Sequence, residues 1–204
     1  MIGGVGPWSD SGSENHLDAC RVAGPDACRS VVIVGEDNPL SADPRYALYH
    51  EPAGCAGHRL QSSILGLLPR RSYLPIWRTN LCVGGWRPDM AADRAKMLSR
   101  PDSPWTLVIM LGVRVADAFS EVTHVSVAPL TASGAFGGSS IRFVNLPHPS
   151  GRNLAWNDRR KISAARTLLS RLCPGFRGES STALVLGAPE RRRSARSPGD
   201  RDNA

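Results

Sequence analysis

The sequence predicts an α/β fold in which helices cover a mainly parallel sheet of at least four strands. Short β-branched runs alternate along the chain with segments of helical periodicity. The runs are apolar on both faces, as strands of a buried parallel sheet are, and Gly- and Pro-rich loops separate them. A chain of 204 residues is long enough to bury one such domain and leave tails over.

The composition is that of a basic protein without an obvious membrane span. The formal net charge is +7, and nearly all of the positive charge comes from Arg. Arg binds phosphate well, so a nucleic-acid partner is one explanation of this charge, and the Arg-heavy codon usage of a GC-rich genome is the other. Because no apolar run is long enough to span a bilayer and no signal-peptide pattern opens the chain, we expect a cytoplasmic protein that does not enter a membrane.

The cysteines predict neither a disulfide framework nor a zinc ribbon. Their number is odd, their spacing is irregular and none belongs to a C-x-x-C pair, the five being Cys20, Cys28, Cys55, Cys82 and Cys173. An iron–sulfur cluster with ligands gathered from scattered positions is the alternative. We expect reduced, mostly buried thiols, and no cofactor.

The chain divides into an arm, one domain and a tail. Residues 1–29 are rich in Gly, Ser, Asp and Pro, which predicts a flexible N-terminal arm. Residues 30–176 carry all the strong periodicity and form the predicted domain. Residues 177–204 include the run Arg191-Arg192-Arg193 and predict a disordered basic tail that adds non-specific phosphate affinity.

Within the domain, apolar periodicity and turn residues predict the elements in order. The β-branched run Val31–Val34 predicts a central strand that ends at Gly35, and leucines at helical spacing predict a helix over 56–67. Pro88 suits the first turn of a helix, and Asn157 or Asp158 suits the cap of the last one. The other predicted elements are a short helix at 70–75, strands at 76–82, 106–112, 122–127 and 141–145, helices at 88–99, 113–119 and 158–173, and a flexible loop at 132–140.

Two loops at strand ends carry the residues with chemical potential. Gly35-Glu36-Asp37-Asn38-Pro39-Leu40 follows the first strand, and its acids and amide suit the orientation of a water molecule or an ordinary Asx turn. Leu146-Pro147-His148-Pro149-Ser150-Gly151-Arg152-Asn153 follows the last strand and holds a histidine between two prolines. Ligands of open α/β sheets bind at this edge, where a stiff loop preorganises an imidazole. The sequence contains no G-x-G-x-x-G, Walker loop or G-x-S-x-G motif.

These motifs, in this order, resemble those of the uracil-DNA glycosylase superfamily over roughly Ser30 to Cys173. The segment Val31–Pro39 is similar to its first motif, and Thr79-Asn80-Leu81 to the strand whose Asn reads the base. The run from Val108 to Gly112 resembles its third strand, and His148–Asn153 resembles its second motif in the form of single-strand-selective members. The resemblance implies a three-layer α/β/α sandwich with a central four-stranded, mainly parallel sheet.

The resemblance also implies a reaction and the residues that perform it. The enzyme would flip a nucleotide out of DNA and hydrolyse the bond from C1′ to uracil or to a 5-modified pyrimidine. His148 would stabilise the leaving base, and Asp37 or Asn38 would position the attacking water. Gly35, Glu36, Tyr49 and Asn80 would bind the base, with Trp86 as another stacking candidate, and Pro149, Ser150, Gly151, Arg152 and Asn153 would contact DNA. A monomer associated with the nucleoid is expected, acting in base-excision repair or on modified DNA.

This sequence departs from the family pattern in the first motif. Three residues separate Gly35 from Pro39 where the family has two, so Asp37 and Asn38 are both candidates for the water-positioning role. Leu40 stands where strict uracil enzymes have an aromatic residue that excludes a 5-methyl group, which leaves room for a substituted pyrimidine. Two alternatives stay open: a non-catalytic DNA-binding module on the same fold, which acts as a reader or decoy of modified DNA, and a nucleoside hydrolase.

Overall fold

The sheet contains four parallel strands and one short antiparallel strand. The computed structural model describes residues 30–38, 43, 46–67, 73, 76–135 and 140–176. Its strands are β1 (Val31–Asn38), β2 (Trp77–Val83), β3 (Leu107–Leu111), β4 (Thr131–Ala132) and β5 (Arg142–Leu146). They lie in the order β2-β1-β3-β5-β4, and only β4 runs antiparallel to its neighbour. The predicted mainly parallel sheet is therefore confirmed, with β4 added at one edge.

Helices cover both faces of this sheet, which confirms the predicted three-layer α/β/α sandwich. Helix α1 (Ala56–Arg59) continues as a π-helical segment (Leu60–Leu65). The longer helices are α2 (Pro88–Leu98), α3 (Val113–Thr123) and α4 (Arg159–Leu172). Two 3-10 turns, Leu154–Asn157 and Pro174–Phe176, flank α4. No helix within the described ranges is long and apolar enough to cross a membrane.

The β-branched run of β1 explains how one strand holds both layers in place. Val31 and Ile33 belong to the core cluster that packs with the π-helical segment and α4. Val32 and Val34 belong to the opposite cluster, which packs with α2 and α3. All four side chains are almost completely buried, and burial of each contributes about 1.5–3 kcal/mol. The alternation follows from the two-residue period of a strand.

Both predicted helix starts are where the sequence places them. Pro88 occupies the first turn of α2, where its missing N–H costs nothing. Asp158, rather than Asn157, caps α4, because its Oδ1 accepts from the backbone N–H of Arg160 at 2.8 Å. These local signals predict where the two helices start, because the capping contacts lie within two or three residues.

The prediction that β1 ends at Gly35 is wrong, because the strand continues to Asn38. Gly35 pairs with Asn80, Asp37 with Cys82 and Asn38 with Val83. Pairing with β3, in contrast, covers only 31–34. The partner strand β2 therefore keeps residues extended that would favour a turn on their own, since tertiary pairing overrides weak β propensity.

The prediction of a strand over 122–127 is also wrong, because the preceding helix is longer than predicted. Helix α3 runs to Thr123, whose hydroxyl donates to the carbonyl of Phe119 at 2.7 Å. His124 then adopts φ of 57° and ends the helix, and the edge strand forms only at β4. The predicted arm at 1–29 and tail at 177–204 lie outside the described residues. So do most of the predicted short helix at 70–75 and residues 136–139 of the predicted loop.

Candidate functional site

The candidate site lies where the winding direction of the sheet reverses. From β1 the chain moves outward to β2, then crosses back to β3 and continues to β5. The reversal therefore falls between β1 and β3, and ligands of open α/β sheets bind at such a point, outside the carboxyl ends of the strands. The last residues of β1, Gly35 to Asn38, extend beyond its pairing with β3 at this edge, and Glu36 is the one of them that lines the crevice.

A cavity of about 500 Å³ opens at this edge. The end of β1, the first two turns of α3, residues 126–129 and the loop after β5 line it. Three residues predicted for the site line it together, namely Glu36, His148 and Asn153. The other polar members of the wall, which were not predicted from the sequence, include Arg114, Asp117 and Asn145.

The loop after β5 fixes the protonation of the His148 ring. The backbone N–H of Ser150 donates to His148 Nδ1 at 3.2 Å, so this nitrogen acts as an acceptor and Nε2 carries the proton of the neutral ring. Burial lowers the pKa of His148 below its usual value, and the nearby Glu36 carboxylate opposes this with a smaller effect. His148 is therefore neutral at neutral pH and offers one N–H donor to a ligand.

The rest of this loop divides into a buried base and an exposed tip. Pro149 is buried and Ser150 half-buried, whereas Gly151 and Arg152 are exposed. The side chain of Asn153 accepts from the backbone N–H of Ala155 at 3.0 Å and caps the 3-10 turn that follows. Of the residues predicted to contact DNA, Gly151 and Arg152 are thus the ones presented at the surface.

Asp37 combines one fixed carboxylate oxygen with one unpartnered oxygen. Its Oδ2 accepts from the backbone N–H of Gly85 at 3.1 Å. Gly84 and Gly85 both have positive φ, which lets the loop after β2 turn this N–H toward β1. Asp37 Oδ1 is buried and has no hydrogen-bond partner among the residues that the structure describes. Such an oxygen is suited to accept from a bound water molecule or ligand.

The amide of Asn80 lies between β1 and β2. In the orientation that satisfies both of its ends, Oδ1 accepts from the backbone N–H of Asn38 at 3.2 Å and Nδ2 donates to the carbonyl of Thr79 at 3.3 Å. The side chain is buried, and a Cβ atom on Gly35 would overlap it. Gly35 therefore makes room for Asn80, and the groups predicted to read a base bind backbone in this arrangement.

Glu36 and Trp86 share Arg114 as a neighbour, whereas Tyr49 has separate surroundings. Glu36 Oε1 and Arg114 Nη1 form an ion pair at 2.6 Å, and the Arg114 guanidinium lies 5.9 Å from the centre of the Trp86 ring. Tyr49 packs against the ring of His50, with centroids 4.4 Å apart, and contacts Tyr46 edge to face. Tyr49, Asp37 and Asn80 lie outside the wall of the cavity that His148 lines.

The three cysteines in the described part of the chain form no disulfide with one another. Cys55 donates to the carbonyl of Tyr49 and accepts from the backbone N–H of His58, and Cys82 makes the same two kinds of contact with Arg87. Cys173 is buried and likewise forms no disulfide with another described cysteine. Within the described residues no group of three or more His, Cys, Asp or Glu side chains is arranged to hold a metal ion.

Two side chains outside the His148 loop hold it, and neither was predicted from the sequence. Trp156 donates its indole N–H to the carbonyls of Pro147 and His148, and Arg59 donates to the carbonyl of Ser150. An aromatic residue eight positions after His148 was visible in the sequence, but its direction was not. The partner of Arg59 lies 91 positions away, so no local pattern indicates that contact.

Comparison with known proteins identifies no family for this chain. No protein-family model matches the sequence, and no curated protein matches it at a significant level. The function is therefore inferred from the chemistry of the residues in the site.

Proposed function

We propose that the protein is a DNA glycosylase that hydrolyses the N-glycosidic bond of uracil or a 5-modified pyrimidine after flipping the nucleotide out of DNA. The observation that carries this proposal is the state of His148, a neutral imidazole whose Nδ1 is engaged by Ser150 and whose Nε2–H is available at the switch point of the sheet. The motif resemblance supports the same reaction class.

A neutral N–H donor suits the leaving group of this reaction. As the bond from C1′ breaks, negative charge develops on the base and positive charge on the sugar. His148 Nε2–H would donate to the O2 atom of the pyrimidine and stabilise that anion without transferring a proton. A rigid donor aimed at developing charge contributes most when its position is fixed before the reaction. The two prolines beside His148 and the hydrogen bond from Ser150 provide that rigidity.

Asp37 is the better supported of the two water-positioning candidates. Gly85 fixes its Oδ2, which leaves the buried Oδ1 to accept a proton from a water molecule and to face the sugar cation. Asn38 lies at the last paired position of β1, and the amide of Asn80 reaches its backbone N–H. We therefore assign the water-positioning role to Asp37. Asn38 has a structural role at the end of β1.

The surface beside the site is compatible with a nucleic acid. The exposed tip Gly151-Arg152 projects from the same loop as His148, so a phosphate or an unstacked base at the tip would lie next to the imidazole. The net charge of +7 adds a sequence-independent attraction to the phosphate backbone.

A non-catalytic DNA-binding module is the second candidate, and one observation favours it. The Asn80 amide binds backbone with both its oxygen and its nitrogen, which takes up part of the hydrogen-bonding capacity that reading the edge of a base would need. A reader or decoy of modified DNA needs the basic surface and the cavity but no attacking water.

One panel of substrates separates these candidates. The purified protein is incubated with oligonucleotides carrying uracil, thymine, 5-hydroxymethyluracil or 5-hydroxymethylcytosine, then treated with alkali to cut abasic sites, and free nucleosides are assayed in parallel. We expect cleavage of one oligonucleotide and no hydrolysis of free nucleosides. Tight binding of oligonucleotides without cleavage would support the binding module, and hydrolysis of free nucleosides alone would identify a nucleoside hydrolase.

A further inference from the structure

The two peptide groups that flank His148 are held by one buried indole. The N–H of Trp156 is shared between the carbonyl oxygens of Pro147, at 3.0 Å, and His148, at 3.1 Å. Trp156 is only 4% exposed and belongs to the core cluster beneath α4. The carbonyls of Pro147 and His148 therefore bind a side chain of the packed core rather than water.

The peptide group after Ser150, further along the loop, is held by a second donor from another element. Arg59 Nη1, at the end of α1, donates to the carbonyl of Ser150 at 2.8 Å, and the backbone N–H of Asn153 donates to the same oxygen at 3.1 Å. A Cβ atom on Gly151 would lie 3.3 Å from the Arg59 guanidinium, so the glycine lets the side chain approach the loop.

Together these contacts determine where Ser150 presents its N–H to His148 Nδ1. That N–H keeps Nδ1 unprotonated and places the proton on Nε2. If the loop shifted by half an ångström or more, the 3.2 Å hydrogen bond would lengthen and the second tautomer would become populated. The position of the loop thus controls both the direction and the protonation of the ring.

We propose that Trp156 and Arg59 are positioning residues for His148, which hold its loop from both sides so that the ring keeps one orientation and one tautomer. The predicted effect on rate rests on the proposed glycosylase function, whereas the predicted effect on the ring does not. Neither side chain needs to touch the substrate in this role.

The test compares Trp156→Phe and Arg59→Met with two matched controls. Trp156→Phe keeps most of the packing and removes the N–H, and Trp105→Phe does the same to a buried tryptophan of the opposite core cluster. Arg59→Met removes a donor to the Ser150 carbonyl, and Arg166→Met removes the donors to the carbonyls of Ile64 and Ser63, away from the His148 loop.

Two measurements are made on each variant. The ¹⁵N chemical shifts of the His148 ring report which nitrogen carries the proton, and steady-state assays on the cleaved oligonucleotide give kcat and KM. We expect Trp156→Phe to lose the single Nε2–H tautomer and to reduce kcat by about 10- to 100-fold with KM changed less than about threefold. Arg59→Met should act in the same direction by about 5- to 10-fold, and neither control should change the ring.

The outcomes separate the proposal from the proposed function. A ring that keeps its wild-type ¹⁵N shifts in both test variants would overturn the positioning role, whatever the activity. Absence of cleavage by the wild-type protein would defeat the glycosylase proposal but leave the ring shifts to decide the positioning role. If Trp156→Phe fails to fold, Arg59→Met decides, because it removes one contact of a half-buried side chain.

Discussion

Gly112 lies so close to His148 that a Cβ atom on the glycine would be 3.1 Å from Cβ of the histidine. Gly112 ends β3 and caps α3, and its φ of 97° and ψ of 164° fall in a region that essentially only glycine adopts. Its backbone N–H donates to the carbonyl of Leu146 at 2.8 Å, just before the His148 loop. The residue that follows β3 thus packs directly against the side chain of His148.

Replacement of Gly112 should therefore damage both the fold and the site. We expect Gly112→Ala to lower the free energy of unfolding by about 3 kcal/mol, because strained backbone and a tight contact add together. Gly84→Ala is the control, since Gly84 also has positive φ but has open space around its Cα. It should cost about 1 kcal/mol and leave the His148 ring unchanged.

Urea unfolding and the ¹⁵N shifts of His148 check this prediction. Equal losses of stability in the two variants, with an unchanged His148 ring in Gly112→Ala, would show that the contact with the ring has no effect.

The pH dependence of activity should respond in opposite directions to the two partners of the Glu36–Arg114 ion pair. Activity that needs neutral His148 falls as the pH drops through the pKa of His148, which burial lowers and Glu36 raises. Glu36→Gln removes the carboxylate, so the pKa should fall further and the acid limb should move to lower pH. Arg114→Met leaves the Glu36 charge without its partner at 2.6 Å, so the acid limb should move to higher pH.

The measurement is a pH profile of kcat/KM for each variant beside the wild-type protein. Asp117, on α3, also lines the cavity, and Asp117→Asn serves as a control for the general loss of a charge there. Shifts of the same sign in the Glu36 and Arg114 variants would contradict the assignment of the limb to His148.

Asn80 should contribute to stability through its contacts with backbone. We expect Asn80→Ala to lower the free energy of unfolding by about 1–3 kcal/mol, because the buried Asn80 side chain loses its hydrogen bonds to the backbone of Asn38 and Thr79. Asn157→Ala, at an exposed asparagine, should change it by less than about 0.5 kcal/mol. Denaturant unfolding compares the two variants. Unchanged stability with lost base selectivity in Asn80→Ala would instead assign its amide to base recognition.

Local patterns were sufficient to predict most of the fold. The run Val31–Val34 is β-branched throughout, and burial on both faces follows from that pattern alone. Pro88 and Asp158 start their helices as expected, because capping depends on residues a few positions apart. The sequence could not show that β1 continues to Asn38, because the pairing that extends it comes from β2, more than 40 positions along the chain.

The candidate site was predictable only in part, for the same reason. His148 lies between two prolines, and Asp37 lies in a short segment bounded by glycine and proline, which is typical of a turn in the sequence although the structure extends β1 through it. Arg114 and Arg59 are ordinary helix residues in the sequence, and they acquire roles through contacts with residues 78 and 91 positions away. The prediction that residues 122–127 form a strand is wrong. Thr123 is β-branched, which favours a strand, but its hydroxyl donates to the carbonyl of Phe119 and it is the last residue of α3.

The most direct test of the proposed reaction is the single-turnover rate of base release from the cleaved oligonucleotide in His148→Ala and Asp37→Asn. His124→Asn and Asp93→Asn are the matched controls, because both replace exposed residues on other elements. We predict a rate at least about 100-fold lower in each test variant, with near wild-type rates in the controls. Base release at the wild-type rate by folded His148→Ala would contradict the assignment of this site as a glycosylase centre.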